Sequence, residues 1–113
     1  MVTLADGDEV GFQEYFVGLR HDVPVSGIRF DGADDALPGP GVLEAITTAE
    51  AVVIAPSNPL VSIAPILAVP GVRDAVAARR ESAVAVSPIV GGSALKGPAD
   101  RMLAEMGHES SVV

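Results

Sequence analysis

A doubly wound α/β fold is predicted by three observations. Residues 51–55 (Ala-Val-Val-Ile-Ala) and 82–86 (Ser-Ala-Val-Ala-Val) lack polar alternation, as strands covered on both faces of a parallel sheet do. A stretch with helical spacing precedes the first run, another separates the two, and a third follows the second. Each run leads directly into a loop, so the order from Pro40 is helix, strand, helix, strand, helix.

The elements follow in order. Residues 2–4 and 9–11 flank Asp6-Gly7, a pair expected to form the type I′ turn of a small hairpin. Phe12, Tyr15, Phe16 and Leu19 recur at helical spacing, with Gln13, Glu14 and Gly18 on the other side. Residues 23–30 read as a strand carrying Val25, Ile28 and Phe30, closed by Asp31-Gly32. Residues 32–40 are loop-like and can serve as a hinge. Pro40 suits the first turn of a helix whose face is Val42, Leu43, Ile46 and Ala49.

After the first buried run, residues 56–70 read as a long apolar loop. Residues 71–80 form a helix with Val72, Ala75 and Val76 inward and Arg79-Arg80 at its carboxyl end, where the dipole favours cations. The second buried run leads into a loop over 87–97. Pro98 and Gly107 bound a last helix with Met102, Leu103 and Met106 on its core face. The chain divides into a hairpin, helix and strand over 1–35 and a helix-strand-helix-strand-helix portion over 36–113.

Composition limits the function classes. Hydrophobic residues make up 49% and aromatics 4%, so the core must be built from Val, Ala, Ile and Leu. Seven basic residues against 15 acidic ones, a net charge of −8, disfavour a nucleic-acid or anionic-membrane partner. A mononucleotide is compatible, because backbone N–H groups hold phosphate without many cations. The absence of cysteine excludes disulfides and thiolate metal sites and fits a cytoplasmic location. No signal peptide or membrane-spanning run is read, so neither export nor a membrane partner is expected.

In an open parallel sheet, ligands sit beyond the carboxyl ends of the strands. Here those ends are Pro56-Ser57-Asn58-Pro59 and Ser87-Pro88-Ile89-Val90-Gly91-Gly92. The first holds the only Asn of the chain and the second leads to its only Lys, Lys96. A hydroxyl and an amide on a backbone stiffened by two prolines can hold a nucleotide or sugar edge. Equally, Ser57 can cap a short helix while Asn58 satisfies loop backbone.

Gly91-Gly92-Ser93 lets backbone approach a ligand, and Lys96 can add a point charge for phosphate. An ordinary turn is the alternative, since the spacing is neither a Walker loop nor a dinucleotide fingerprint. Arg73 can contact phosphate or pair with a carboxylate such as Asp74. The apolar stretch 60–70 can wall a flat ligand or lie beneath another domain or subunit. His21 and His108 read as surface or helix-dipole residues, and Asp34-Asp35 as a solvated turn rather than a metal site. No Ser/His/Asp order or zinc spacing emerges.

Three segments resemble the CofD-like phospholactate or phosphoenolpyruvate transferases of deazaflavin coenzyme (F-420) biosynthesis. They run over 12–17 (FQEYFV), 56–73 (PSNPLVSIAPILAVPGVR) and 86–100 (VSPIVGGSALKGPAD). The resemblance covers nearly the whole chain. It implies a Rossmann-like fold, homodimerisation, magnesium and transfer of a phosphate-linked three-carbon acid. The donor is linked to guanosine diphosphate, the acceptor is the hydroxyl of the deazaflavin precursor, and GMP leaves.

The candidate binding residues are Ser57, Asn58, Pro59, Ser62, Arg73, Ser87, Pro88, Gly91, Gly92 and Lys96. The family's amino-terminal Gly-rich loop and acidic metal region are not found before Phe12, nor its carboxyl-terminal part after Val113. The resemblance therefore points to a middle portion, expected to be inactive alone, with no metal ligand or catalytic base assigned. A non-catalytic nucleotide- or nucleotide-sugar-binding regulator is the alternative, as is a purely structural α/β module.

Overall fold

The computed structural model describes residues 1–19, 23–90 and 93–94. It is a mixed α/β structure made of two compact units. One takes Met1–Asp31 together with the chain from Ile89, and the other takes Gly32–Pro88.

The first unit is built on an antiparallel sheet ordered β2-β1-β3, with β1 at Val2–Leu4, β2 at Glu9–Val10 and β3 at Val25–Ile28. The expected hairpin forms, but not through a two-residue turn. Leu4 N–H bonds the Asp8 carbonyl at 2.8 Å, so the loop is Ala5-Asp6-Gly7. Gly7 takes a φ of 94°, the left-handed residue that a three-residue hairpin loop requires. Asp6 instead uses its carboxylate to accept from the Asp8 N–H at 3.0 Å.

The register of β3 explains a feature that simple alternation misses. Val2 faces Ile28 and Leu4 faces Val25, with a register shift in between. The extra residue bulges, so Val25 and Ile28, three apart, both lie on the side of Val2 and Leu4. Ser26 secures the bulge by donating to the Leu4 carbonyl at 3.0 Å. Val2, Leu4 and Val25 are buried, and Tyr15 is fully buried with them. Each such aliphatic side chain contributes roughly 1.5–3 kcal/mol on leaving water.

Tyr15 comes from a π-turn at Glu14–Gly18, in which Leu19 N–H reaches five residues back to the Glu14 carbonyl. Phe12 stacks on Phe16 with centroids 5.5 Å apart. The expected aromatic cluster is present, in a wider helical winding than the α-helix expected. On the rim, Arg29 forms a two-point ion pair with Glu9, at 2.9 and 3.0 Å, and reaches Asp31 at 2.7 Å. Its hydrogen bonds hold both exposed carboxyls below their ordinary pKa values.

The second unit carries α1 (Val42–Thr48), β4 (Val52–Ile54), α2 (Ala64–Ala68), α3 (Val72–Ala77) and β5 (Ala83–Ala85). β4 and β5 pair in parallel, Val52 with Ala83, Val53 with Val84 and Ile54 with Ala85. The predicted parallel pairing is therefore present. Burial on both strand faces is not. Val52 and Ile54 are half-buried, but Val53 is 68% exposed and Val84 61%. A parallel crossover lies to one side of its sheet, and here the other side stays open.

α1 starts at Val42, two residues later than Pro40 suggests. Gly41, at a φ of 80°, is its N-cap. α1 and α3 meet at both ends. A Cβ on Gly71 would lie 3.4 Å from a Leu43 methyl. At the far end Arg79 donates to the carbonyls of Ile46, Thr47 and Ala49. So α3 stops at Ala77, and Arg79 serves the carboxyl end of α1 rather than that of its own helix, as the dipole argument had it.

Candidate functional site

The parallel register sets the site. Ile54 and Ala85 are partners, and Val86 N–H donates to the Ile54 carbonyl at 3.0 Å. The two strands therefore end level, and the segments that leave them, Pro56-Ser57-Asn58-Pro59 and Ser87-Pro88, leave the same end of the sheet. Adjacent strands lie only about 5 Å apart. All six of Ser57, Asn58, Pro59, Ser62, Ser87 and Pro88 are half-buried.

The segment 56–70, expected as a loop, is largely helical. A π-turn at Pro59–Ile63 runs directly into α2. Asn58 is the cap. Its Oδ1 accepts from the N–H of Leu60 at 2.9 Å and of Val61 at 3.3 Å. Its carbonyl accepts from Ser62 N–H at 3.0 Å and Ile63 N–H at 3.2 Å. Pro59 occupies the first helical position, where its missing N–H is harmless.

Pro65 explains the π-winding. It has no N–H to give and its ring would crowd the carbonyl four residues back. Widening the preceding turn, with Ala64 N–H reaching the Pro59 carbonyl, accommodates it. The cap is thus Asn58, not Ser57 as the helix-cap alternative had it. The Asn-Pro pair was a visible signal for this, since Asn at N-cap followed by Pro at N1 is a preferred start.

Arg73 lies in the first turn of α3 and is exposed. Among the described residues it has no ion-pair partner, so pairing with Asp74 is not seen. Ile89–Val90 (β6) pairs with Ser93–Ala94 (β7) as an antiparallel ladder, so the segment expected as a plain loop over 87–97 contains a hairpin. Gly91, Gly92 and Lys96 lie outside the described residues, as do His21, His108 and the expected helix over 98–107. In the sequence Arg79 is marked only as a cation at the carboxyl end of the 71–80 helix, with no signal that it serves α1 instead.

Among the described residues no three His, Cys, Asp or Glu side chains come together to hold a metal ion. Asp34 and Asp35 sit in a 3-10 turn at Ala33–Asp35. No helix of the described residues is long and apolar enough to cross a membrane.

The chemistry available is that of a stiff polar corner at the carboxyl end of two parallel strands. It carries two serine hydroxyls and a capped helix start. Comparison with known proteins adds the following. The family model described as 2-phospho-L-lactate transferase CofD matches residues 1–113. The chain is 52% identical over 102 residues to a phosphoenolpyruvate transferase of Kitasatospora aureofaciens, covering 90% of this chain and 32% of that protein. It is 50% identical over 108 residues to the phosphoenolpyruvate transferase of Streptomyces coelicolor, covering 94% and 34%. To that of Mycolicibacterium smegmatis it is 45% identical over 108 residues, covering 94% and 33%. The chain thus spans about a third of the length of the curated relatives it matches.

Proposed function

The chain belongs to the 2-phospho-L-lactate transferase CofD family, and on that premise we propose that it forms one part of a phosphoenolpyruvate or 2-phospho-L-lactate transferase of coenzyme F-420 biosynthesis. In that reaction the hydroxyl oxygen of the deazaflavin precursor attacks the phosphorus that bears the three-carbon acid. The bond from that phosphorus to GMP breaks, GMP leaves, and the hydroxyl proton passes to a general base. Phosphoenolpyruvate is the better choice of acid, because the relatives at 43–52% identity carry that name.

The observation that carries the reading is the level ending of β4 and β5. It supports a cleft bordered by the Ser57 and Ser87 hydroxyls, at the place where open parallel sheets bind ligands. Asn58 acts as a positioning residue. By taking the Leu60 and Val61 N–H groups it fixes the start of the helical turn that follows Ser57 and carries Ser62. Pro59 and Pro88 stiffen the two exits. Arg73, Gly91, Gly92 and Lys96 join the proposed binding residues on their chemistry alone, as cations and small residues suited to phosphate. Magnesium is the metal in this proposal. A homodimer in the cytoplasm is part of the same proposal.

Asn58 provides the test. Asn58→Asp retains an oxygen that can cap the helix, whereas Asn58→Ala does not. In the longer transferase, Asn58→Asp is expected to keep its melting temperature yet slow GMP release about tenfold or more, because a carboxylate beside donor phosphate repels it. Unchanged kinetics with an unchanged melting temperature would remove the corner from the donor site.

A further inference from the structure

Two Asp-Gly pairs occur in the chain, Asp6-Gly7 and Asp31-Gly32. Both lie exposed in turns with the glycine at a positive φ, 94° and 72°. We propose that Asp31-Gly32 is a modification site, where the chain cyclises to a succinimide and reopens as isoaspartate, and that the Arg29 guanidinium is its guard.

The chemistry needs only water. The Gly32 main-chain nitrogen attacks the side-chain carboxyl carbon of Asp31 in its acid form. A C–N bond forms, the carboxyl C–O bond breaks, and the amide proton leaves with the hydroxyl as water. Water then adds to either carbonyl of the imide ring. Addition at the side-chain carbonyl restores aspartate. Addition at the main-chain carbonyl leaves the chain running through the former side chain, with an extra backbone carbon and a free carboxylate on the α-carbon. Glycine favours the attack because no Cβ crowds its nitrogen. The only Asn of the chain precedes Pro59, which has no N–H, so the same route is closed there.

The two pairs differ in what holds each reacting atom. At Asp6-Gly7 both are tied. Gly7 N–H donates to the Leu4 carbonyl at 3.0 Å, and the Asp6 carboxylate accepts from Asp8 N–H at 3.0 Å. Val2 and Leu4 of that hairpin are buried, so freeing the Gly7 nitrogen requires the turn to open against a packed strand. At Asp31-Gly32 no described residue accepts from the Gly32 N–H, and a Cβ built on Gly32 would meet nothing within 4 Å. Only the carboxyl is held, by Arg29 Nη1 at 2.7 Å. That bond favours the ionised form of Asp31, which is a poor target for the amide nitrogen. The side chains of the pair are 52% and 76% exposed, so water competes for it and it opens often. Arg29 thus slows the reaction without closing it.

Trypsin cuts after Arg20, Arg29 and Arg73, which places the two pairs in separate peptides. The longer polypeptide is to be aged warm at neutral pH and digested. Its peptides are mapped by mass for loss of one water, and the reopened product is read with an isoaspartyl carboxyl methyltransferase and labelled S-adenosylmethionine. Fragment ions separate a change at Asp31 from one at Asp34 or Asp35. Expected is conversion at Asp31 about tenfold faster than at Asp6, and a further rise of about threefold at Asp31 in Arg29→Gln. Equal rates at the two pairs, or Asp6 converting first, would overturn the site. So would an unchanged Asp31 over a period in which a synthetic peptide of residues 29–33 converts. A rate at Asp31 that stays the same or falls in Arg29→Gln overturns the guard. If Arg29→Gln fails to fold, the two peptides of the unaltered protein still decide the site.

Discussion

Two small sheets in this chain cover their apolar residues to very different extents. The antiparallel β2-β1-β3 sheet buries Val2, Leu4 and Val25 and closes over Tyr15. The parallel β4–β5 pair leaves Val53 and Val84 in water, and Val72 is the one buried hydrophobic side chain among the described residues of its unit. The strands themselves look equally apolar in sequence. The difference lies in what each topology requires. An antiparallel sheet is stable with one face covered, and a bulge was enough to gather its apolar residues there. A parallel pair needs a cover on each face, and the crossover provides only one.

Mutations can sharpen or break that contrast. The largest effect is expected at Tyr15. Tyr15→Ala should cost about 3–5 kcal/mol in chemical denaturation, as for other buried aromatics. A cost near that of a surface change would mean that the first unit does not depend on its own core. Next, Arg79→Ala should cost about 1–2 kcal/mol, because several carbonyls at the end of α1 lose their donor. Arg79→Lys should recover little of this, since one ammonium cannot span them. Full recovery by lysine would show that charge rather than the guanidinium fork holds α1 to α3.

Smaller effects follow. Asn58→Ala should lower stability by about 1 kcal/mol through loss of the cap, read in thermal melts. Val53→Ala in the 113-residue chain should change stability by less than about 0.5 kcal/mol, as at other exposed positions. A cost like that of a buried valine would show the face to be already covered.

The smallest is a pH effect on the first unit. Arg29 lowers the Glu9 and Asp31 pKa values chiefly by hydrogen bonding. Their stabilisation is present above the ordinary carboxylate range, near about pH 4, and is lost as pH falls through the lowered folded values. Glu9→Gln should flatten that part of the acid dependence of melting, and an unchanged slope would remove the ion pair from the account.

Much of this contrast was open to reading in the sequence. The two apolar runs gave the parallel pair because only packing and period were needed to see them. Asp6-Gly7 marked the hairpin but not its turn, which depends on how many residues the ladder leaves over. The helical winding within 56–70 is hard to see in the sequence, since Pro65 breaks the ordinary helical pattern. A π-turn absorbs such an interruption, and its Asn58-Pro59 start was visible in the sequence. Exposure of Val53 could not be read at all, because it depends on which neighbours are present rather than on the strand itself. The candidate site divides in the same way. That Ser57, Asn58 and Ser87 follow the carboxyl ends of the two strands is legible from strand order, while the capping bonds of Asn58 need coordinates.

Amide hydrogen exchange, strand by strand, tests the central contrast most directly. In the 113-residue chain the ladder amides of Val2–Leu4 and Val25–Ile28 should exchange only through the rarest opening, and those of Val52–Ile54 and Ala83–Ala85 through a more frequent one. In the longer transferase the two sets should converge as the open face gains its cover. Equal protection of both ladders in the 113-residue chain, or a gap that persists unchanged in the longer protein, would contradict the account.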